Sequence, residues 1–285
     1  MSTGNPPAAA PARKTSVAAM AILGLMFFIF GFTSWVNSIL VPYFKIGCEL
    51  NHFQSYLIVF ALYSAYLIMA IPSSAILKRV GFKRGIMYGF FCTALGALIF
   101  IPAAWWRSYP VFLAGSFVIG AGSAMLQAAA NPYVTMIGPI NTTVKRMAIM
   151  GICNKFAGLV APLIFAAVVL KVTDSDLFVQ LESATLDPAA RSVMLDSLVH
   201  RVMVPYAIFA AFLIVIGVFI RFSMLPELNL EEKNKQEVAP GGEGKTSVFQ
   251  FPYLILGVVA MFLHIGTQVV TIDTIISYAQ TMGMD

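Results

Sequence analysis

Charge is scarce in this chain. Only 11% of its 285 residues are Asp, Glu, Lys or Arg, whereas soluble domains carry about 25%. So few charged groups cannot clothe the surface of a water-soluble protein of this size, and a soluble globule is excluded. Cysteine is also rare. Cys48, Cys92 and Cys153 have neither metal-ligand nor disulfide-framework spacing and read as lone packing residues. No cluster of His, Cys, Asp and Glu suggests a metal site, and no nucleophile stands near a base, so neither an enzyme nor a cofactor is expected. The basic excess is only +5 and is spread over short loops. A nucleic-acid binder would gather it on one face. A cleavable leader is not expected either: the polar, Pro- and Ala-rich stretch Met1–Ser16 runs straight into a long apolar segment with no small-residue cleavage site.

What the chain does have is apolar length. Hydrophobic residues make up 59% of it, with 23 Phe, 15 Met and 21 Gly, and mean hydropathy is +0.83. A helix needs about 20 apolar residues to cross a bilayer. Seven segments qualify: Val17–Leu40, Gln54–Leu77, Gly85–Ala104, Pro110–Ile137, Met147–Leu170, Val204–Leu225 and Phe251–Tyr278. An all-α membrane protein is expected.

Loop charge sets the expected orientation. Arg13 and Lys14 precede the first span, Lys78, Arg79, Lys83 and Arg84 lie between the second and third, and Lys145 and Arg146 precede the fifth. The opposite short loops hold Lys45 with Glu49, and Arg107. The positive-inside rule then places the N-terminus in the cytoplasm, with the protein in a bacterial inner membrane. Residues 1–16 form a cytoplasmic tail and residues 17–225 a six-helix bundle. Residues 226–250, charged and then Gly-rich (Pro240-Gly241-Gly242-Glu243-Gly244), read as a cytoplasmic linker. Residues 251–285 begin a second bundle. On the outer side, Asp187-Pro188 reads as a helix start, and Pro188–Val202 as a short amphipathic helix on the membrane surface.

Polar groups inside spans are expensive and tend to face a cavity or another helix. Trp35, Asn37 and Ser38 fall in the first span. Gln127 and Asn131, four residues apart, share a face of the fourth, and Pro132 follows them. Asn154 and Lys155 lie in the fifth span between Gly151 and Gly158. His264, Gln268 and Thr271 share a stripe of the seventh, with Asp273 off it. Amides both donate and accept hydrogen bonds, which suits a neutral polyhydroxy ligand, and Trp35 offers a face on which a sugar ring stacks. The competing reading of each amide is a hydrogen bond joining two helices. Lys155 lies too deep in its span to snorkel easily and reads as a pathway or ion-pair group. His264 reads as structural. Gly115, Gly120, Gly122 and Ser123 permit close helix approach. Gly244-Lys245-Thr246 is no P-loop, since Ala239 stands where the motif needs Gly.

Several segments resemble a known family. The loop Ser74–Arg84 is similar to the signature between helices two and three of the major facilitator superfamily, with Ser74 and Lys78 in place of its Gly and Asp. The run Leu126-Gln127-Ala128-Ala129-Ala130-Asn131-Pro132-Tyr133-Val134-Thr135-Met136-Ile137-Gly138-Pro139 resembles the helix-four motif of its fucose–galactose–glucose symporter family. Asn37–Pro42 resembles that family's helix-one motif, and Arg146–Phe156 the start of its helix five. The resemblance extends from about Phe27 to Tyr278. It implies the major facilitator fold: twelve helices in two halves, of which this chain holds the first six and helix seven, as a fragment or a truncated sequence.

The resemblance also implies a function. A hexose or hexose derivative of the glucose, galactose, mannose or N-acetylglucosamine class would be taken up by cation symport with alternating access. Asn37, Trp35, Gln127, Asn131, Asn154, Lys155 and Gln268 would bind it, and Ser38, Gln127 and Asp273 would serve cation coupling. The fucose branch has carboxylates where this chain has Ser38 and Gln127, which excludes the same proton relay and tilts the coupling ion from proton toward sodium. Lys155 replaces a small polar residue of that branch. The other readings on the same fold are a sugar-binding membrane sensor and an efflux transporter. Apart from the sugar and the bilayer, no partner is expected, nucleic acid included.

Overall fold

A computed structural model describes residues 17–169, 188–223 and 250–282. Among these the chain is helical: α1 (Val17–Gly47), α2 (His52–Val80), α3 (Phe82–Trp105), α4 (Tyr109–Met136), α5 (Thr143–Val169), α6 (Pro188–His200), α7 (Met203–Phe222) and α8 (Pro252–Thr281), with a 3₁₀ turn at Ile140–Thr142. The chain divides into two compact units, Met1–Leu228 and Asn229–Asp285. Six helical stretches of the first unit are long and apolar enough to cross a membrane: five coincide with α1–α5 and the sixth is Ala190–Phe222. In the second unit the described apolar stretch of α8 is Pro252–Gln268.

The helix limits differ from the hydropathy limits for local reasons. α1 runs past Leu40 to Gly47 because its last turns are anchored: the Phe44 ring lies 4.2 Å from Phe112 and 5.6 Å from Phe100. α2 starts at a capping box, in which the Asn51 side chain accepts from the Gln54 N–H and Gln54 returns a bond to the Asn51 N–H. Gly81 closes α2 at φ +81°, a conformation that glycine adopts without penalty, and α3 begins at the next residue.

α4 is the most buried of the spans, and glycine is the reason. A Cβ on Gly122 would lie 2.4 Å from Thr93 Oγ1 of α3, and one on Gly120 would lie 2.2 Å from the Leu62 carbonyl of α2. Backbones therefore meet on both sides of α4, as the expected small-residue role requires. α7 packs on α3, with Tyr206 stacked on Phe100 at 4.7 Å. α5 packs on α1.

The two ends of the first unit are tied differently. Where α2 meets α3, Lys83 Nζ donates to the Ser223 carbonyl at the end of α7 (2.5 Å). At the other end, Arg107 donates from Nη1 to Asp196 (3.1 Å) and from Nε to the Gly47 carbonyl (3.1 Å), and pairs with Glu49 at 4.0 Å. Arg191 pairs with Glu49 at 3.0 Å. α6 is the helix expected over Pro188–Val202, but its apolar side is occupied by protein. Leu195, Leu198 and Val199 are buried, and α6 contacts α1 and α3. Asp187 lies outside the described residues, as do the tail 1–16 and most of the linker 226–250.

Candidate functional site

The seam between α1 and α5 is set by residues one helical turn apart on each helix. Gly31 lets the backbones meet: a Cβ there would lie 2.5 Å from the Asn154 carbonyl. One turn earlier, Asn154 Nδ2 donates to the Phe27 carbonyl (3.2 Å). One turn later, the Trp35 indole lies against Gly158, where a Cβ would fall 2.4 Å from Trp35 Cε2. Phe27, Gly31 and Trp35 thus mate with Asn154 and Gly158 along i, i+4 rows. Asn154 therefore joins two helices, in the manner of a membrane interhelical bond worth about 0.6 kcal/mol. Trp35 keeps a half-exposed face.

Gln127 reaches the same level from α4. With Phe27 and Phe30 of α1 it lines a cavity of about 10 Å³, about the volume a single water needs. Asn131 is half-buried one turn further along α4. Gln127 and Asn154 thus both reach α1 near Phe27, and Trp35 lies two turns further along α1. Lys155 is exposed on α5 beside them. A second polar node was not anticipated from sequence: the Tyr66 hydroxyl of α2 interacts with Ser123 of α4 and Ser34 of α1. Ser34 also donates to the Phe30 carbonyl (3.2 Å). The signal was present in the run Thr33-Ser34-Trp35, but its tyrosine partner lies 32 positions away, beyond any local pattern.

The side chains of Asn37 and Ser38 on α1, and of Asp273 on α8, lie outside the described residues. Gln268 is half-buried in the second unit. A larger groove of about 380 Å³ runs between α1, α5 and α7, lined by Phe28, Phe32, Phe209 and Phe212 among other apolar side chains. It offers no amides to match sugar hydroxyls and shares no residue with the polar set.

One residue fixes how the two polar helices meet. Arg146, only 4% exposed, opens its guanidinium into the turn between α4 and α5. Nε donates to the Val134 carbonyl (3.0 Å), Nη2 to those of Thr135 (2.9 Å) and Gly138 (3.4 Å), and Nη1 to that of Pro139 (2.8 Å). Thr142 and Thr143 Oγ1 accept further bonds at 2.5 and 3.0 Å. The last carbonyls of a helix have no partner within it, and the rigid fork of arginine donors reaches several at once. Its basic charge made Arg146 legible as an orientation signal, but its capping role was not legible.

Neither Asp nor Glu occurs in α1–α5 or α7; Glu49 lies in the turn between α1 and α2. Asp196, on α6 within the sixth apolar stretch, is paired with Arg107.

Comparison with known proteins agrees with the fold. The Major Facilitator Superfamily model matches residues 23–285. The chain is 34% identical over 251 residues to the glucose/galactose transporter of Brucella abortus biovar 1 (strain 9-941), an alignment covering 88% of this chain and 56% of that protein. It is 29% identical over 266 residues to the L-fucose-proton symporter of Escherichia coli (strain K12), covering 93% and 60%. Among solved structures, the transporter FucP in the outward conformation matches at TM-score 0.65 and 32% identity, over 75% of this chain and 51% of that one. The chain thus spans little more than half the length of the relatives it matches.

Proposed function

This chain belongs to the Major Facilitator Superfamily, and from that we propose that its protein takes up a hexose or hexose derivative by cation symport with alternating access. The carrying observation is the 34% identity to a glucose/galactose transporter over 88% of the chain. Glucose, galactose, mannose and N-acetylglucosamine define the substrate class. In this reading residues 17–225 are the first six-helix bundle, 226–250 the cytoplasmic linker and 251–285 the opening helix of the second bundle. The protein sits in the inner membrane with its N-terminus in the cytoplasm.

Gln127 and Asn131 of α4 present amides to the sugar hydroxyls, with Asn37 and Gln268 as further donors and acceptors. Trp35 gives the ring a stacking face. Asn154 contributes mainly by holding α1 against α5. Ser38, Gln127 and Asp273 form the cation-coupling set. Because Ser38 and Gln127 are not carboxylates, sodium fits this set better than a proton. The deciding experiment is uptake of a sugar panel by the full-length protein in proteoliposomes, with sodium and proton gradients imposed separately. Sodium-driven uptake supports the whole reading, and proton-driven uptake overturns the ion assignment. Absence of uptake or counterflow for every sugar overturns the transport reading.

A further inference from the structure

The charge of Lys155 on α5 asks for a partner that the described residues of the first unit do not supply. Lys155 lies 12 residues into α5, about 18 Å from its start at 1.5 Å per residue. That is near mid-membrane for a hydrocarbon core about 30 Å thick. Leaning toward the start of the helix, as helical side chains do, its stem still ends well short of the interface. Lys155 is exposed, and among the described residues it enters no ion pair. Among the described residues of the first unit the acids are Glu49 and Asp196, and both are held at one end of the bundle, Glu49 by Arg107 and Arg191 and Asp196 by Arg107.

The surroundings of Lys155 do not suit lipid. Gly151, Lys155, Gly158 and Pro162 follow one another on one stripe of α5 at helical spacing, while Ile152, Phe156, Leu159 and Leu163 follow the next stripe. The second stripe is apolar and exposed, as a lipid- or helix-facing surface would be. The first is small and polar. A Cβ on Gly151 would meet nothing within 4 Å, so the space one turn before Lys155 is open, and Trp35 rests against Gly158 one turn after it. A cation and a half-exposed aromatic face therefore border the same open stripe, about 4.5 Å apart along the helix axis.

Resting on the sugar-transport reading above, we propose that Lys155 is an anion subsite and that the preferred substrate is a sugar bearing a carboxylate, a hexuronate. The ring stacks on Trp35 and the carboxylate meets the ammonium. A single ammonium balances a monoanionic carboxylate, whereas a phosphate ester carries about −1.5 to −2 and would leave charge uncompensated.

The test is counterflow by the full-length protein in proteoliposomes, with glucuronate, galacturonate, their parent hexoses and a hexose 6-phosphate as competitors. A hexuronate should compete about tenfold or more better than its parent hexose, as a charge-assisted hydrogen bond of ordinary strength requires. Lys155→Gln should bring that ratio close to one, and Lys155→Arg should preserve it. The ratio in the unaltered protein already decides the question if Lys155→Gln does not fold. Equal competition by acid and parent sugar overturns the proposal while leaving sugar transport intact. Stronger competition by the phosphate ester, or an unchanged ratio in Lys155→Gln, overturns it as well. So does restoration of Lys155→Gln counterflow by Asp273→Asn, which would show the lysine paired within the protein. If no sugar of any kind exchanges, the transport reading fails first and takes this inference with it.

Discussion

Replacing Arg146 tests whether one buried guanidinium holds the α4–α5 turn. In Arg146→Ala the carbonyls of Val134, Thr135, Gly138 and Pro139 all lose a donor at once. A net hydrogen bond to a charged group is worth about 1.5–3 kcal/mol. The four carbonyls share one side chain, so the terms are not additive. Water enters part of the vacated space near the end of the bundle and restores some bonds. A loss of about 3–5 kcal/mol follows, at the top of the range for single substitutions. Arg146→Lys keeps the charge, but its donors radiate from a single atom and cannot span carbonyls on both sides of the turn. It should lose roughly half as much.

The assay is thermal unfolding of the purified full-length protein in detergent, alongside sugar counterflow. Arg146→Ala should show a large fall in Tm, with Arg146→Lys between it and the unaltered protein. Thr142→Ala should have a smaller effect that shrinks in the Arg146→Ala background, because the bond Thr142 accepts from Arg146 is then already lost, while its own bond to the Pro139 carbonyl remains. If Arg146→Lys matches the unaltered protein, the fork geometry is irrelevant and only charge matters. If Arg146→Ala also matches it, the turn is held by something else and the reasoning fails.

Three further outcomes follow from the packing and the loops. Gly122→Ala places a Cβ 2.4 Å from Thr93 Oγ1 and 2.5 Å from its amide nitrogen; separating α3 from α4 should cost about 1–3 kcal/mol, measured as a fall in Tm. Arg107→Ala removes two partly exposed ion pairs and the bond to the Gly47 carbonyl, so a loss of about 1–2 kcal/mol is expected, part of it screened away in high salt. Burial pushes the Cys48 thiol up to about 11, against the opposing pull of the Arg107 charge. Only the thiolate reacts, so maleimide labelling of Cys48 at pH 8 should be about a hundredfold slower than for a thiol near 9, should quicken as pH rises toward 11, and should slow further in Arg107→Ala; labelling as fast as a free thiol refutes the burial.

Sequence made the framework legible because lipid imposes a coarse rule. Apolar runs long enough to cross a bilayer were countable, and the glycines of α4 predicted close approach, which Gly120 and Gly122 show toward α2 and α3. Helix limits were less legible. α1 continues to Gly47 because Phe44 finds Phe100 and Phe112, contacts made with residues more than fifty positions away. Likewise α6 carried an amphipathic pattern, but the pattern alone does not say whether lipid or protein covers the apolar side.

The polar groups show where sequence reasoning stops. Asn154 and Lys155 are neighbours in the chain, and both stood out as polar groups inside a span. Helical geometry turns them about 100° apart, and that rotation separates their environments. Asn154 faces α1 and donates to the Phe27 carbonyl, so its hydrogen-bonding capacity is partly used before any ligand arrives. Lys155 faces the open stripe beside Gly151 with no ion pair among the described residues. An amide satisfied by a backbone carbonyl costs the bundle little. An ammonium near mid-membrane costs roughly 2.5–3.5 kcal/mol on insertion scales unless an anion or water meets it. The deficit belongs to Lys155, so a search for what this protein recognises is better begun there than at the amides that first suggested a sugar.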